Sequence, residues 1–276
     1  MRTKVDCKKP EISVILTFHN RPDMVKRAIQ HIINQSINCY ELILVDDFSA
    51  TAISLSDINF GDIALTHIRN EVNLGANQSR LIGLRLAKGK YICFHDDDDY
   101  WMEEKLEIQL NYLNKNPNVH VVSCYARTNS KILKFPSEPS SLALSIHNCV
   151  GSFSIPMIRN TNLLESFLNN DLTNAQDWHV WRSLKKHYLI STVPKVLVFF
   201  DDGQHDRISS AKNIDAYYSS YLRVALIDTV DILLRAYHYS LVKYHCSHTF
   251  FFRLCWGGST FILRRYVKLR LWLEAF

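Results

Sequence analysis

Ile12 to Phe18 (ISVILTF) is an unbroken apolar run, rich in β-branched residues, that begins just after Pro10. It is too short for a buried helix, and branching at Cβ favours extended backbone, so it predicts a buried strand. The period then changes. Asn20 and Asp23 flank Pro22 as capping residues, and Val25, Ala28, Ile29, Ile32 and Ile33 recur at helical spacing. Glu41 to Val45 (ELILV) predicts a second strand that ends in Asp46-Asp47 and a Ser/Thr turn. Strand, helix, strand is the opening of an α/β fold with a parallel sheet.

The same alternation continues. Ile63 to Ile68 predicts a strand, Gln78 to Ala87 a helix with Leu81, Ile82, Leu84 and Leu86 on its apolar face, and Gly89 a closing C-cap. Tyr91 to Phe94 (YICF) predicts another buried strand, running straight into His95 and the carboxylates Asp96 to Asp99. A helix over Glu103–Leu113 and a strand over Val119–Tyr125 follow. Arg127 to Ile158 is polar and dotted with Pro and Ser, and predicts loops with short strands. DWHVWRSLKKH, from Asp177, predicts a helix and Val193 to Phe200 a strand, after which Leu222, Leu226, Val230, Leu233, Tyr237 and Leu241 predict one amphipathic helix. The expected organisation is an α/β domain over 1–210 and a helical, basic-aromatic extension over 211–276.

Composition narrows the class. With 276 residues, 47% hydrophobic and 21% charged, the chain can bury a sizeable core, which excludes disorder, collagen and coiled coil. The net charge of +5 comes entirely from the segment after Ser210, because the first 210 residues hold 23 charges of each sign. A neutral body argues against a nucleic-acid binder, whose footprint is a basic face. The 7 cysteines are scattered and never form C-x-x-C, which disfavours a disulfide framework and a zinc site. The N-terminal residues show no signal-peptide pattern, and no apolar run reaches the ~18 residues of a membrane span, so the expected location is cytoplasmic.

In an open α/β sheet, ligands sit beyond the carboxyl ends of the strands. Three polar clusters take that position: Thr17 to Asn20, Asp46-Asp47, and Asp96 to Asp99. Taken singly, Asp46-Asp47 reads equally well as a turn former. Four adjacent carboxylates between a buried strand and Tyr100-Trp101 are different, because they repel one another where solvation is poor. A hard divalent cation, Mg²⁺ or Mn²⁺, held by one or two carboxylates and by substrate phosphates, answers that repulsion. No Ser/His/Asp or Cys/His nucleophile pattern and no H-E-x-x-H is present.

From about Glu11 to Ser210 these segments resemble the family 2 glycosyltransferases of the GT-A fold. The likeness lies in SVILTFHNRPDMVKRAIQHIINQS, ELILVDDFSAT, NLGANQSRLIGLRLAKGKYICFHDDDD with its YW, and AQDWHVWRSL, in that order and spacing. The resemblance implies a nucleotide pocket lined by Thr17 and His19 with Asn20, and an Asp47 carboxylate, beside Asp46, that accepts from the uracil N3–H. It also implies a basic residue at Arg80 and a D-x-D at Asp96 and Asp98 for the ribose and the metal-bound diphosphate, with Asp97 between them. Asp177 matches the general base of an acidic motif, and His205 a late histidine that completes the metal site with Asp98 and Asp96. Three departures stand out: His19 where an aromatic residue is usual, Gln176 where Glu usually precedes the base, and Asp97 and Asp99 offering the D-x-D spacing one residue on.

The implied reaction is inverting transfer of a sugar from a nucleotide-sugar donor, a UDP-sugar, to a glycan or lipid-linked saccharide acceptor. Two other readings stay open: a nucleotidyltransferase using the same pocket, with no need for Asp177, and a non-catalytic sugar-nucleotide or glycan-binding module. The tail, Thr249–Arg253 and Phe261–Phe276, mixes aromatic residues with Arg and Lys. It suits an anionic membrane surface on the inner face, or a helix packed on the body or on a second subunit.

Overall fold

The computed structural model describes residues 10–168, 170–200, 214–226, 232–246, 261 and 263–268. The chain divides into two compact units. The first comprises the chain to Pro139, Val150–Asn170 and Ser183–Gly203; the second comprises Ser140–Cys149, Asp171–Arg182 and the chain from Gln204.

The first unit is built on a nine-stranded sheet. Its elements are β1 (Ile12–Phe18), α1 (Pro22–Ile33), β2 (Tyr40–Asp46), β3 (Ala64–Arg69), α2 (Ala76–Leu86), β4 (Tyr91–Asp96), β5 (Asp99–Trp101), α3 (Lys105–Lys115), β6 (Val119–Arg127) and β7 (Ile132–Leu133). After α4 (Ser141–Ile146), which belongs to the second unit, come β8 (Met157–Arg159), α5 (Asn162–Leu168), α6 (Gln176–Lys185), whose residues up to Arg182 also belong to the second unit, and β9 (Leu189–Phe200). The strand order is β3-β2-β1-β4-β8-β6-β9-β5, with β7 added to β6. β3, β2, β1 and β4 are mutually parallel, β8 runs antiparallel to β4 and β6, and β5 antiparallel to β9. Because β1 lies between β2 and β4, the crossovers leave in opposite directions on either side of it.

Every residue of β1 and β2 is buried, as expected of parallel strands covered on both faces. One face carries Val14, Leu16, Leu42, Leu44 and Cys93 against Val25, Ile29 and Ile32 of α1 and Leu106 and Leu113 of α3. Each buried Val, Leu or Ile contributes roughly 1.5–3 kcal/mol. On the other face α2 lies so close that a Cβ on Gly83 would meet Ile15 Cγ2 at 2.4 Å.

The α/β alternation matches the expectation within one or two residues for most elements of the first unit. β5 differs: the sequence offers no separate run for a three-residue strand lying directly after the carboxylates. Gly89 also differs from its expected role as the closing C-cap. α2 ends at Ala87 (φ −64°, ψ 130°), and Gly89 matters for closeness instead. A Cβ there would sit 2.5 Å from Ser13 N and 2.7 Å from Ile12 C. The approach lets Gly89 N donate to Ser13 Oγ (2.8 Å), which donates to buried Glu41 (2.6 Å), which also accepts from Lys88 N (2.7 Å).

In the second unit, α7 (Ile214–Leu226) and α8 (Ile232–Cys246) replace the single amphipathic helix of the expectation. In one continuous helix Tyr221 and His238 would stand about 25 Å apart; instead Tyr221 Oη donates to His238 Nδ1 at 3.0 Å. Trp178 and Trp181 are buried, consistent with a helix-core role. Part of the tail is packed too: Val267 is buried with Ile146 and Leu234. No helix among the described residues is long and apolar enough to cross a membrane. Cys39, Cys93, Cys124 and Cys149 are buried free thiols. Burial pushes Cys93 up to about 11 and Cys124 up to about 12, leaving them protonated fillers of the core.

Gly89→Ala forces a methyl into the β1 backbone and lowers unfolding stability by about 1–3 kcal/mol, read as a shift in the urea midpoint. His238 donates from Nε2 to Ser145 O (2.8 Å), so both ring nitrogens are satisfied in the neutral form. Burial lowers its pKa from 6.5 to about 4, with the Ser145 carbonyl opposing and Arg182 adding to the shift. Below the ordinary value the unfolded chain therefore takes a proton that the folded chain refuses, so stability falls as pH falls through this window. His238→Gln removes about 1.4 kcal/mol per pH unit of that acid sensitivity, measured by denaturant unfolding from pH 7 to 4.

Candidate active site

The polar clusters meet because of register. Thr17 lies between Val45 on one side and Asp96 on the other, and Phe18 pairs with Asp46, so β1, β2 and β4 end at one level. Thr17 is buried in the last turn of the pleat before that edge. His19 Nδ1 lies 2.7 Å from Asp47 O, and a carbonyl only accepts, so the ring carries its proton on Nδ1. His19 Nε2 then accepts from Asn20 Nδ2 (2.8 Å) and Asn73 Nδ2 (3.3 Å). Asn20, at φ 56°, receives Ala50 N on Oδ1 (2.6 Å) and donates from its backbone to Ser49 Oγ (2.9 Å). Phe48 has φ 64° and is 47% exposed, an unusual backbone for a bulky residue, adjacent to Asp47.

Asp46 and Asp47 have different tasks. Asp46 is fully buried, accepts from Ser49 N (2.8 Å) and faces Arg69 Nε at 3.7 Å, so it shapes its own turn. Asp47 gathers the loop after β3. Its Oδ1 accepts from Asn70 Nδ2 (2.9 Å) and Leu74 N (2.8 Å), and its Oδ2 from Gly75 N (2.8 Å). Gly75 has φ 83°, a left-handed backbone that suits glycine, and it caps α2. A carboxylate has about four acceptor positions, which leaves Asp47 Oδ2 able to take one further N–H.

The aspartate run is divided among elements. Asp96 ends β4, Asp97 and Asp98 form the turn, and Asp99 opens β5 opposite Phe200. Arg80, buried in α2, bonds Asp96 Oδ1 (2.5 Å) with its guanidinium 4.3 Å from the Phe153 ring. Arg21 Nη1 reaches Asp97 Oδ1 at 3.1 Å and Asp98 Oδ2 at 3.7 Å. Two arginines therefore offset the repulsion that the sequence sets against a metal alone. Burial raises Asp97 to about 7, with the Arg21 guanidinium opposing and the charges of Asp98 and Asp96 adding.

A buried polar layer that the sequence did not single out lies beneath the run. Ser154 Oγ accepts from Asp96 N (2.9 Å), and Trp101 Nε1 donates to Ser154 O (2.8 Å). Fully buried Lys105 places Nζ 4.0 Å from the Trp101 ring and donates to Gln109 Oε1 (2.8 Å), whose amide donates to Val122 O and Ile155 O. His95 packs 4.5 Å from Trp101 and donates from Nδ1 to Asp96 O (2.7 Å), and burial lowers it to about 3, so it stays neutral. The only signal for this layer in the sequence is Lys and Gln at i and i+4 inside an apolar helix face.

In the second unit Asp177 stands in the first turn of α6, where Oδ2 accepts from Asn148 Nδ2 (3.0 Å) and Oδ1 from Trp178 N (2.7 Å). Trp178 Nε1 donates to Leu144 O (2.6 Å), and Gln176 Nε2 to Leu172 O (2.6 Å). Asn148 lies in the stretch expected to be loop, where nothing in the sequence marks it. The fold thus brings Thr17, His19, Asn20, Asp46, Asp47, Arg80, Asp96, Asp97 and Asp98 to one sheet edge and sets Asp177 in the other unit. His205 lies outside the described residues.

Among the described residues no three His, Cys, Asp or Glu side chains gather as a metal-ligand group. Asp96 and Asp98 supply hard oxygen donors, and Arg21 already stands as a cation against Asp98. That donor set fits a Mg²⁺- or Mn²⁺-type ion held by one or two carboxylates and completed by phosphate oxygens.

A mostly parallel sheet with carboxylates, an arginine and a glycine-capped helix at its switch point places a candidate ligand site at the ends of β1, β2 and β4. The model of Glycosyl transferase family 2 matches residues 13–166, and the chain belongs to that family. It is a glycosyltransferase. It is 27% identical over 186 residues, 66% of this chain and 72% of the other, to the Escherichia coli UDP-Glc:alpha-D-GlcNAc-diphosphoundecaprenol beta-1,3-glucosyltransferase WfgD. Longer relatives also match: the chain spans 40% of an uncharacterized glycosyltransferase of Rickettsia conorii, at 28% identity over 251 residues, 82% of this chain. Among solved structures, Staphylococcus aureus TarS 1–349 in complex with UDP-GlcNAc shares the fold, with TM-score 0.67 and 17% identity over 88% of this chain and 75% of that one.

Asp47→Ala withdraws an acceptor from three N–H donors at once. It lowers stability by about 2–3 kcal/mol and abolishes amide-exchange protection at Leu74 and Gly75, measured by urea unfolding and hydrogen exchange. Unchanged protection there would detach Asp47 from the loop.

Proposed function

We propose that the chain moves a sugar from a UDP-sugar to a lipid-linked saccharide, with inversion at the anomeric carbon. The observation that carries the reading is the meeting of His19, Asn20, Asp47, Arg80, Asp96 and Asp98 at the ends of β1, β2 and β4. Asp47 Oδ2 takes the uracil N3–H at its remaining acceptor position, and Asp96 meets the ribose while Arg80 holds that carboxylate in place. The nucleotide in the TarS complex and the lipid-linked acceptor in the WfgD name support this choice of donor and acceptor class.

Asp96 and Asp98 would hold a divalent cation, Mn²⁺ or Mg²⁺, with His205 as a third ligand, and the ion would offset charge on the leaving diphosphate. A mannosyltransferase from Pyrobaculum calidifontis with the same fold, TM-score 0.54 and 18% identity over 86% of this chain and 64% of that one, was solved with GDP-Man and Mn²⁺. Asp177 acts as the base. The acceptor hydroxyl oxygen bonds to C1 of the sugar as the C1–O bond to the diphosphate breaks; Asp177 takes the proton, and the nucleoside diphosphate takes the bonding pair. Asn148 keeps one Asp177 oxygen oriented. We place the reaction at the cytoplasmic face of a membrane, with residues 1–210 as the transferase and the basic tail after 211 meeting anionic lipid.

Asp177→Asn keeps the shape and removes the proton acceptor. UDP-sugar binding survives, measured by calorimetry, and transfer falls ~10²–10⁴-fold. A transfer rate within a few-fold of wild type rejects Asp177 as the base, and pyrophosphate release from a nucleoside triphosphate rejects glycosyl transfer itself.

A further inference from the structure

We propose that Arg21 is a built-in counter-cation that occupies the cation position at the aspartate turn, so that a divalent ion enters only by displacing its guanidinium. The inference rests on the reading of Asp98 as a cation-holding carboxylate. Arg21 lies in the loop between β1 and α1, yet its Nη1 sits 3.1 Å from Asp97 Oδ1 and 3.7 Å from Asp98 Oδ2, because β1 and β4 are neighbours in register. It thus bridges the two turn carboxylates, while Arg80 pairs with Asp96.

The two arginines differ in their freedom to move. The Arg80 side chain is 8% exposed and pinned against the Phe153 ring, whereas the Arg21 side chain is 28% exposed and borders water. Arg21 precedes Pro22 in the first turn of α1, and the residue before a proline has a restricted backbone. Any withdrawal is therefore a side-chain movement on a fixed main chain. An ion on Asp98 Oδ2 would meet the Arg21 guanidinium, 3.7 Å from that oxygen, as a like charge, so the oxygen favours one cation at a time. A diphosphate arriving with the metal brings the negative charge that makes the exchange favourable. Arg21 in this view makes the turn select a metal–diphosphate pair over the bare ion, and it keeps the run in place when neither is bound.

The test is direct Mn²⁺ binding to the full chain without nucleotide, read from the EPR signal of free Mn²⁺. Arg21→Gln is expected to bind Mn²⁺ about tenfold tighter than wild type, and Arg21→Lys, which keeps the charge, to stay within about threefold. Arg27→Gln is the control for general loss of charge, since that guanidinium donates to Tyr100 Oη (2.9 Å), and it too stays near wild type. On the wild-type protein, Mn²⁺ should speed phenylglyoxal modification of Arg21, read by peptide mass, as the guanidinium is released. Equal or weaker Mn²⁺ binding by Arg21→Gln overturns the proposal while leaving the metal reading intact. So does equal tightening by Arg27→Gln, or unchanged modification of Arg21. No Mn²⁺ binding by either protein, even with UDP, overturns both.

Discussion

The fully buried strand β1 is the constraint on which the rest depends. With α1 and α3 on one face and α2 on the other, none of its seven side chains can be a solvated polar group. Chemistry is therefore confined to the edge where β1, β2 and β4 stop. Parallel pairing aligns those stops, which is why residues as distant in sequence as Arg21 and Asp97 meet. Ser13 and Glu41, the polar residues near the start of these strands, are absorbed by Gly89 N and Lys88 N at the other end of the sheet.

At the functional edge the problem is charge. Asp46, Asp47 and Asp96 to Asp98 crowd one sheet edge, and four arrangements answer them. Asp46 is spent on its own turn and Arg69, Asp47 on backbone N–H groups, Asp96 on Arg80, and Asp97 and Asp98 on Arg21. Hydrogen bonds to a carboxylate are stronger than neutral ones, so these pairings also order the loops that carry them. Beneath them the Lys105, Gln109, Trp101 and Ser154 layer ties the Asp96 backbone to β6 and the 153–155 segment. A buried hydrogen-bonded network of this kind favours one arrangement of the segments it joins.

The alternating elements of the first unit were legible because period is a local property: ISVILTF and ELILV cannot be buried helices, and the α1 positions cannot form a strand. The order of the clusters was legible too, and with it the family. β5 was not, since three residues carry no period, and Gly89 was assigned a cap where the structure uses it for close approach to Ser13. The helix expected over Leu222–Leu241 shows the limit of periodicity, which does not distinguish one helix from two helices whose residues Tyr221 and His238 meet.

What the sequence by itself determined is what depends on neighbours along the chain: strand or helix, the start of α1 at Pro22, the carboxylates at strand ends, the neutral body and the basic tail. The capping expected of Asn20 and Asp23 is not formed, since Arg21 is the N-cap and no side chain caps the helix. What only the tertiary structure decided is which charge faces which. Arg21, Ser154, Lys105 and Asn148 have no motif, because their partners lie far away in the chain and are chosen by register and packing. Burial and pairing exist only once the chain has folded, and they are what make Asp46 structural, Asp47 an organiser of the 70–75 loop, and Arg21 the neighbour of Asp98.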